Sequence, residues 1–175
     1  DKNQFNLLPI APTRGLVYDR YGVLLAKNGP VFSLEIMPSK AKDLKKTIDE
    51  LKDIMDLHDD EIQQFYKQVK GRHYQNSVPI KLKLTEVERA QFSVEQFRFP
   101  EIAIKVRLIR EYPMGSDLAE IIGYIGRMNE QDYSSLIADD YLATYFIGRT
   151  GIEKFFEDTL HGKMGYQQVE SDASG

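Results

Sequence analysis

Arg110-Glu111-Tyr112-Pro113-Met114-Gly115, running on to Ala119-Glu120-Ile121-Ile122-Gly123-Tyr124-Ile125-Gly126, is the stretch around which the rest of the chain is read. A strand-like run leads into it. From Ile102 to Ile109 the residues alternate, with Ile102, Ile104, Val106 and Leu108 on one side and Ala103, Lys105 and Arg107 on the other. Period-two alternation marks a strand covered on one face. Pro113 has no N–H for a ladder and ends the strand. Gly115 permits a sharp reversal. Ser116 or Asp117 is placed to cap a short helix. The expected unit is strand, forced turn, short helix and glycine-rich exit, a stiff corner.

Upstream, residues 1–13 read as an extended lead-in, with Pro9 and Pro12 discouraging helix. Arg14 to Ala26 reads as two short strands around an Asp-Arg-Tyr-Gly turn, a hairpin. A third strand is expected over Val31 to Ile36. Two readings of Arg14, Asp19 and Arg20 stay open: charges on a solvated strand face, or a paired ion network where lobes join. Pro38 and Ser39 introduce a helix bearing Leu44, Ile48, Leu51, Ile54 and Met55 at three- and four-residue spacing. A second helix starts near Asp59, with Ile62, Phe65, Tyr66 and Val69 on one face and Gly71 as its stop. The pair makes a helical hairpin lobe over residues 40–75, inserted into a body formed by 1–39 and 76–175.

Val78 to Leu84 alternates and is expected to be a strand. Thr85 and Glu88 have capping-box spacing, in which each side chain satisfies the other's backbone N–H. The helix they open should turn Val87, Ala90, Val94 and Phe97 inward and end at Pro100. Downstream of the corner, Asn129 can cap a helix through about Ile137. Residues 138–149, with Tyr141, Tyr145 and Phe146, read as a connection. Thr150 and Glu153 repeat the capping-box spacing. The last helix shows Ile152, Phe155, Phe156 and Leu160. Gly162 and Gly165 make a turn into a closing strand, Tyr166 to Glu170. The pattern is α+β: a small mixed or antiparallel sheet, packed helices and an inserted helical hairpin.

Composition narrows the function classes. The chain has 175 residues, 42% hydrophobic, with a net charge of −4 and no cysteine. That is a globular make-up, and the charge is wrong for a nucleic-acid binder. Without cysteine there is no disulfide framework, thiol nucleophile or thiolate metal site. His58, His73 and His161 show no ligand spacing, so no metal is expected. No phosphate-cradling loop is present and no cofactor is expected. The acids Asp59, Asp60 and Glu61 sit where a helix dipole favours them. Ser39-Lys40-Ala41-Lys42 matches Ser-x-x-Lys, the spacing by which a lysine activates a serine nucleophile. The partner elements of that chemistry are missing from the sequence, and Ser39 reads as a helix cap. A serine hydrolase using Ser39 and Lys42 is the reading that competes with a binding module.

Three segments together resemble the non-catalytic N-terminal module of class B penicillin-binding proteins. The first is Arg14-Gly15-Leu16-Val17-Tyr18-Asp19-Arg20-Tyr21-Gly22 with Leu25-Ala26. The second is Tyr112-Pro113-Met114-Gly115 through Gly123-Tyr124-Ile125-Gly126. The third is Gly148-Arg149-Thr150-Gly151-Ile152-Glu153-Lys154-Phe155-Phe156-Glu157, then Leu160, Gly162, Gly165 and the ending Val169 to Gly175. Within them Arg14, Gly15, Asp19, Arg20, Gly22, Tyr112, Pro113, Gly115, Gly123, Gly126, Gly151, Glu153, Glu157, Gly162 and Gly165 stand as the structural motif. Two residues depart from the pattern: Tyr21 replaces an Asn in the turn, and Glu120 stands where many members have His. Leu84-Thr85-Glu86-Val87-Glu88 and Phe97-Arg98-Phe99-Pro100 resemble the elongation type, that of penicillin-binding protein 2 in Gram-negative bacteria.

The resemblance implies a periplasmic pedestal, anchored in the inner membrane by a helix ending just before Asp1. It would carry a peptidoglycan D,D-transpeptidase after Gly175, so the chain itself should hold no catalytic residue. It also implies two partners in cell-wall elongation and cell-shape maintenance, a rod-shape scaffold protein and a glycan polymerase of the SEDS class. The division-type module and a free-standing periplasmic adaptor are its alternatives. From the same motifs, Arg14, Asp19 and Glu153 are expected to share one ion network between the first hairpin and the last helix.

Overall fold

The computed structural model describes residues 4–70, 77–135, 141 and 143–171. In chain order the elements are β1 (Gln4–Ile10), β2 (Val17–Tyr18), β3 (Leu24–Ile36), α1 (Leu44–Lys52), α2 (Asp59–Lys70), β4 (Val78–Lys81), α3 (Glu86–Glu95), β5 (Ile102–Glu111), α4 (Ala119–Ile122), β6 (Ile125–Arg127), α5 (Glu130–Ser135), β7 (Phe146–Gly148), α6 (Gly151–Phe155), α7 (Glu157–His161) and β8 (Gly165–Ser171). The class is α+β, as expected. The strands form three small sheets where one was expected: β1 with β8, β2-β3-β4 with β5 added on β3, and β6 with β7. The chain divides into two compact bodies, one of Asp1–Asn28, Arg110–Met128 and Asp132–Gly175, the other of Gly29–Ile109 and Asn129–Gln131.

The second body is built on the later part of β3, whose Leu34 and Ile36 are fully buried. β4 pairs antiparallel with that part, Leu34 opposite Lys81 and Ile36 opposite Val78. The expected break before Val31 does not occur, and β3 is one strand of 13 residues. Pro30 is compatible with extended backbone, and it falls between the stretches paired to β2 and β4. α1 and α2 supply Ile48, Leu51, Ile62, Phe65 and Val69 to the same core. Asp43, not Ser39, caps α1, accepting from the Lys46 N–H at 3.0 Å. Ser39 lies in a separate single turn over Pro38–Lys40. Lys42 precedes α1, so the Ser-x-x-Lys pair is not set one α-helical turn apart. The Gly71 stop and His73 lie outside the described residues.

β4 stops at Lys81, short of the expected Leu84, because Lys83 takes a left-handed backbone (φ 57°). The capping box that follows is complete. Thr85 N–H donates to Glu88 Oε2 at 2.8 Å, and Glu88 N–H donates to Thr85 Oγ1 at 3.2 Å. The helix is rotated half a turn from expectation. Phe92 is fully buried, whereas Val87, Val94 and Phe97 are 67%, 72% and 82% exposed, and Ala90 is exposed as well. Three anchors hold that rotation. Lys81 Nζ meets Glu88 Oε1 at 2.9 Å, the Arg89 guanidinium lies 4.0 Å over the Phe32 ring, and Phe92 packs beside Phe99 with ring centroids 6.2 Å apart.

β5 runs two residues past the expected Ile109. Its even-numbered face is covered at Ile102 and Ile104 but open at Val106 and Leu108, which are exposed. The odd-numbered face was read as the solvated one, yet it serves a buried acid. Glu35 is paired with the Arg107 guanidinium and accepts from Ser77 Oγ at 2.6 Å. Lys105 Nζ donates to Ser77 Oγ at 2.9 Å.

In the first body β1 pairs with β8 over seven residues, Gln4 opposite Ser171 and Ile10 opposite Gly165. The lead-in is therefore a full ladder strand. β2 and the start of β3 form the expected hairpin, Val17 opposite Ala26. At its tip Asp19 Oδ1 accepts from the N–H groups of Tyr21 and Val23, each at 2.8 Å. The corner after β5 forms as expected, except that no side chain caps it. A single tight turn over Gly115–Leu118 leads into α4, and backbone groups close its first turn without Ser116 or Asp117. The connection after α5 contains an unforeseen strand, β7, antiparallel to β6. α5 covers the start of the expected Asn129 helix, and its continuation to Ile137 lies outside the described residues. The last helix is two short ones, α6 and α7, broken at Phe156.

Candidate functional site

The motif residues converge on α6 and α7. Glu153 and Glu157 are four apart, one helical turn, and both point into the first body, where they are 0% and 9% exposed. Arg14, just before β2, donates from Nε to Glu153 Oε2 and from Nη2 to Glu157 Oε2, each at 2.7 Å. Arg110, near the end of β5, donates from Nε to Glu153 Oε1 at 2.6 Å and from Nη1 to the Gly15 carbonyl at 2.7 Å. Asn28 ties the two arginines together. It donates to the Arg14 carbonyl at 2.7 Å and accepts from Arg110 Nη1 at 3.2 Å. Tyr112 OH donates to Glu153 Oε1 at 3.3 Å and accepts from the Ile125 N–H at 3.2 Å. Tyr141 OH and the Gly148 N–H complete the shell of Glu157, at 3.3 and 2.8 Å.

Two guanidinium groups balance two carboxylates, so the cluster is neutral as a whole. Burial by itself would lower the pKa of Arg14, but the hydrogen bonds and charges of Glu157 and Glu153 outweigh it and hold the pKa above its ordinary value. Burial, reinforced by the Glu153 charge, pushes Tyr112 up to about 12. Burial and Glu157 push Tyr141 higher still. Every carboxylate oxygen of the pair is engaged by a donor. Buried and bonded in this way, the two carboxylates tie the segments carrying Arg14, Arg110, Tyr112, Tyr141 and Gly148 to α6 and α7.

The same segments interlock through their backbones. A Cβ added at Gly123 would lie 2.0 Å from the Thr150 carbonyl oxygen. One at Gly151 would lie 2.5 Å from the Ile121 oxygen, and one at Gly148 would lie 2.1 Å from the Glu153 oxygen. Gly123 and Gly151 also have positive φ, 73° and 57°. The corner is thereby pressed directly onto the helix that carries Glu153.

Arg14, Gly15, Tyr112, Gly123, Gly151, Glu153 and Glu157 are brought together. Others are placed apart. Asp19 is spent on the hairpin turn with Gly22, so it is not part of the expected network, and Arg20 is exposed. Pro113 and Gly115 shape the turn after β5. Gly126, in β6, packs under the Arg149 side chain, 2.9 Å from its Cγ to an added Cβ. Gly162 follows α7 and Gly165 starts β8. Thr150 is the N-cap of α6 but makes no side-chain cap bond, because Glu153 turns inward to the arginines. The inward side of α6–α7 is Glu153, Glu157, Leu160 and His161, whereas Phe155 is 82% exposed. His161 stacks on Tyr141 at 3.9 Å and shares a 2.6 Å hydrogen bond with Thr144.

Arg110, Asn28, Tyr141 and Gly148 were not anticipated as network members. Arg110 did leave a signal, since it continues the even-numbered phase of Ile102 and Ile104 as a charge at an inward position. Among the described residues no group of three or more His, Asp or Glu is placed to hold a metal ion. No helix among them is long and apolar enough to cross a membrane.

The profile of the penicillin-binding protein dimerisation domain matches residues 9–175. The peptidoglycan D,D-transpeptidase MrdA of Escherichia coli K12 is 42% identical over the whole chain, which covers 28% of that protein. MrdA of Acinetobacter baumannii is 40% identical over 99% of the chain, covering 26% of that protein. The chain thus spans little more than a quarter of the length of these relatives. Among solved structures, the complex between PBP2 and MreC from Helicobacter pylori superposes with a TM-score of 0.72 at 21% identity, over 99% of this chain and 32% of that one, a likeness of fold.

Proposed function

We infer the role of this chain from its family, for it belongs to the penicillin-binding protein dimerisation-domain family. It is a non-catalytic pedestal and protein-interaction module of a peptidoglycan D,D-transpeptidase acting in cell-wall elongation. The observation that carries this reading is the 42% identity to a transpeptidase of that name across the full chain. The buried Glu153–Glu157 cluster with its two arginines and the interlocked glycines support it, since a pedestal needs stiffness. The parent protein is held at the periplasmic face of the inner membrane by a helix upstream of this chain. The motif residues, from Arg14 to Gly165, set the geometry of the pedestal, residues 1–39 and 76–175, with 40–75 as a helical head lobe. A rod-shape scaffold protein is one partner, by analogy with the Helicobacter pylori complex. A SEDS-class glycan polymerase is the second, on the strength of the family resemblance.

The test labels native membranes with fluorescent penicillin and probes the same gel with an antibody to this domain. A single band, much larger than this chain and positive for both, is expected. A domain-positive, penicillin-negative band of about this length would favour a free-standing adaptor. Penicillin labelling at this short length would restore Ser39 as a nucleophile and overturn the reading.

A further inference from the structure

α3 faces the wrong way for an ordinary surface helix. Its outward residues Val87, Ala90 and Val94, with Phe97 in the single tight turn over Gln96–Arg98 that continues it, are spaced three, four and three apart. That is the a/d seam of a coiled coil, narrower than the broad stripe by which a helix packs on a core. In the same lettering the fully buried Phe92 stands at position f, where a coiled coil faces solvent. The helix therefore uses its back to hold the core and leaves its seam free. The contrast with the head lobe is sharp, because among the described residues 40–70 no large hydrophobic is exposed.

We propose that α3 is a docking site for a single α-helix of a partner protein, which packs its own a/d stripe onto Val87, Ala90, Val94 and Phe97. The flanks define the partner further. Glu86 borders the seam on one side and Arg98 on the other, the g and e positions that choose partners by charge. Glu86 meets the partly buried Arg89 at 3.8 Å, and Arg98 meets the partly buried Glu95 at 3.2 Å and lies 5.5 Å over the Phe99 ring, so both flanking charges are held only by short-range pairs of small worth. The incoming helix carries a base beside Glu86 and an acid beside Arg98. A second copy of α3 is a poorer fit. Like edges meet in an antiparallel pair, so neither Glu86 nor Arg98 would find an opposite charge. Ten residues of helix, ~15 Å long, also make a short contact line for a self-association that must be stable by itself. The site is thus a weak one that serves within a larger assembly. The proposal goes beyond the family reading and does not depend on it.

The test titrates the isotope-labelled 175-residue chain with a synthetic 18-residue helix. The peptide has leucine at a and d, lysine and glutamate on its two flanks, and a control of the same composition has the leucines scattered. Saturable amide shifts confined to residues 83–99 are expected, with binding at least tenfold weaker for Val94→Glu and for Phe97→Glu. Both positions are exposed, so unfolding midpoints should match the parent and loss of binding cannot be blamed on misfolding. Equal binding of the scrambled peptide, shifts elsewhere, or indifference to both substitutions would overturn the proposal. So would self-association in sedimentation equilibrium, or binding to phosphatidylcholine–phosphatidylglycerol vesicles, that Val94→Glu abolishes. Those outcomes would reassign the seam to a second copy or to a membrane.

Discussion

Thr85 to Glu88 and Thr150 to Glu153 carry the same Thr-x-x-Glu spacing, and both open a helix, but the two glutamates do different work. Glu88 reaches back to its own cap and sideways to Lys81, at the surface of the second body. Glu153 ignores its cap and goes to Arg14 and Arg110, in the interior of the first. The difference lies in the neighbourhood. A local motif governs where only solvent and one lysine compete for the carboxylate. Where two buried cations need a counter-charge, leaving them unpaired costs far more than one cap bond returns, so the long-range partners win.

The comparison can be broken most directly at Glu153. Glu153→Gln removes the shared counter-charge of two arginines and should cost about 3–5 kcal/mol in denaturant unfolding, against about 1 for Glu88→Gln. Equal losses would mean that the buried cluster is no more than a surface ornament. Next comes a double-mutant cycle of Arg14→Met with Glu153→Gln. A coupling of roughly 1–3 kcal/mol is expected, and additivity would show that the two side chains do not act as a pair. Third, Thr85→Ala should cost about 1 kcal/mol and Thr150→Ala within about 0.5, since only the first threonine makes a cap bond.

The smallest effects are in pH dependence, and they have opposite signs. Burial would raise Glu88, but the Thr85 N–H and Lys81 together hold it below its ordinary value. A carboxylate lowered on folding contributes stability that is present above its unfolded pKa and lost as pH falls through the folded one. Tyr112 is raised on folding, from 10.0 to about 12. Its contribution is complete below 10 and lost as pH rises toward about 12, because the unfolded chain gives up the proton first. Stability–pH curves should therefore flatten on the acid side in Glu88→Gln and on the alkaline side in Tyr112→Phe. A Tyr112→Phe curve that still falls as steeply between those values would place the alkaline loss elsewhere.

Sequence legibility follows the same division. Where the deciding interactions are local, the elements were placed well, even where the capping residue was not. The Thr85 capping box, the hairpin at Asp19 to Gly22, α1 and α2, and the corner at Pro113 and Gly115 all form at or near their expected places. Where a distant partner decides, the reading failed. The period of α3 was right and its facing wrong, because periodicity identifies an apolar stripe without saying which side Lys81 and Phe92 will fix to the core. Arg14 with Glu153 was legible through the ordered motifs. Arg110 left only its inward phase as a signal, because its partner sits on a helix more than forty positions later. Asp19 was assigned to the network from its charge, although two backbone N–H groups within four residues had already claimed it.

The β1–β8 ribbon gives the first body a mechanical character. Gln4 and Ser171 are opposite one another at one end of the ladder, and Ile10 and Gly165 at the other. Tension applied to the chain before residue 4 and after residue 171 would not shear seven rungs together. It would peel them one at a time from the Gln4–Ser171 end, the arrangement with least resistance to a pull. The ribbon is thus a tear strip with a defined starting edge. Between its far ends, residues 11–164 form a closed loop whose entry and exit strands hold each other, so the load is met by the ribbon before it reaches Arg14, Arg110 and the two glutamates.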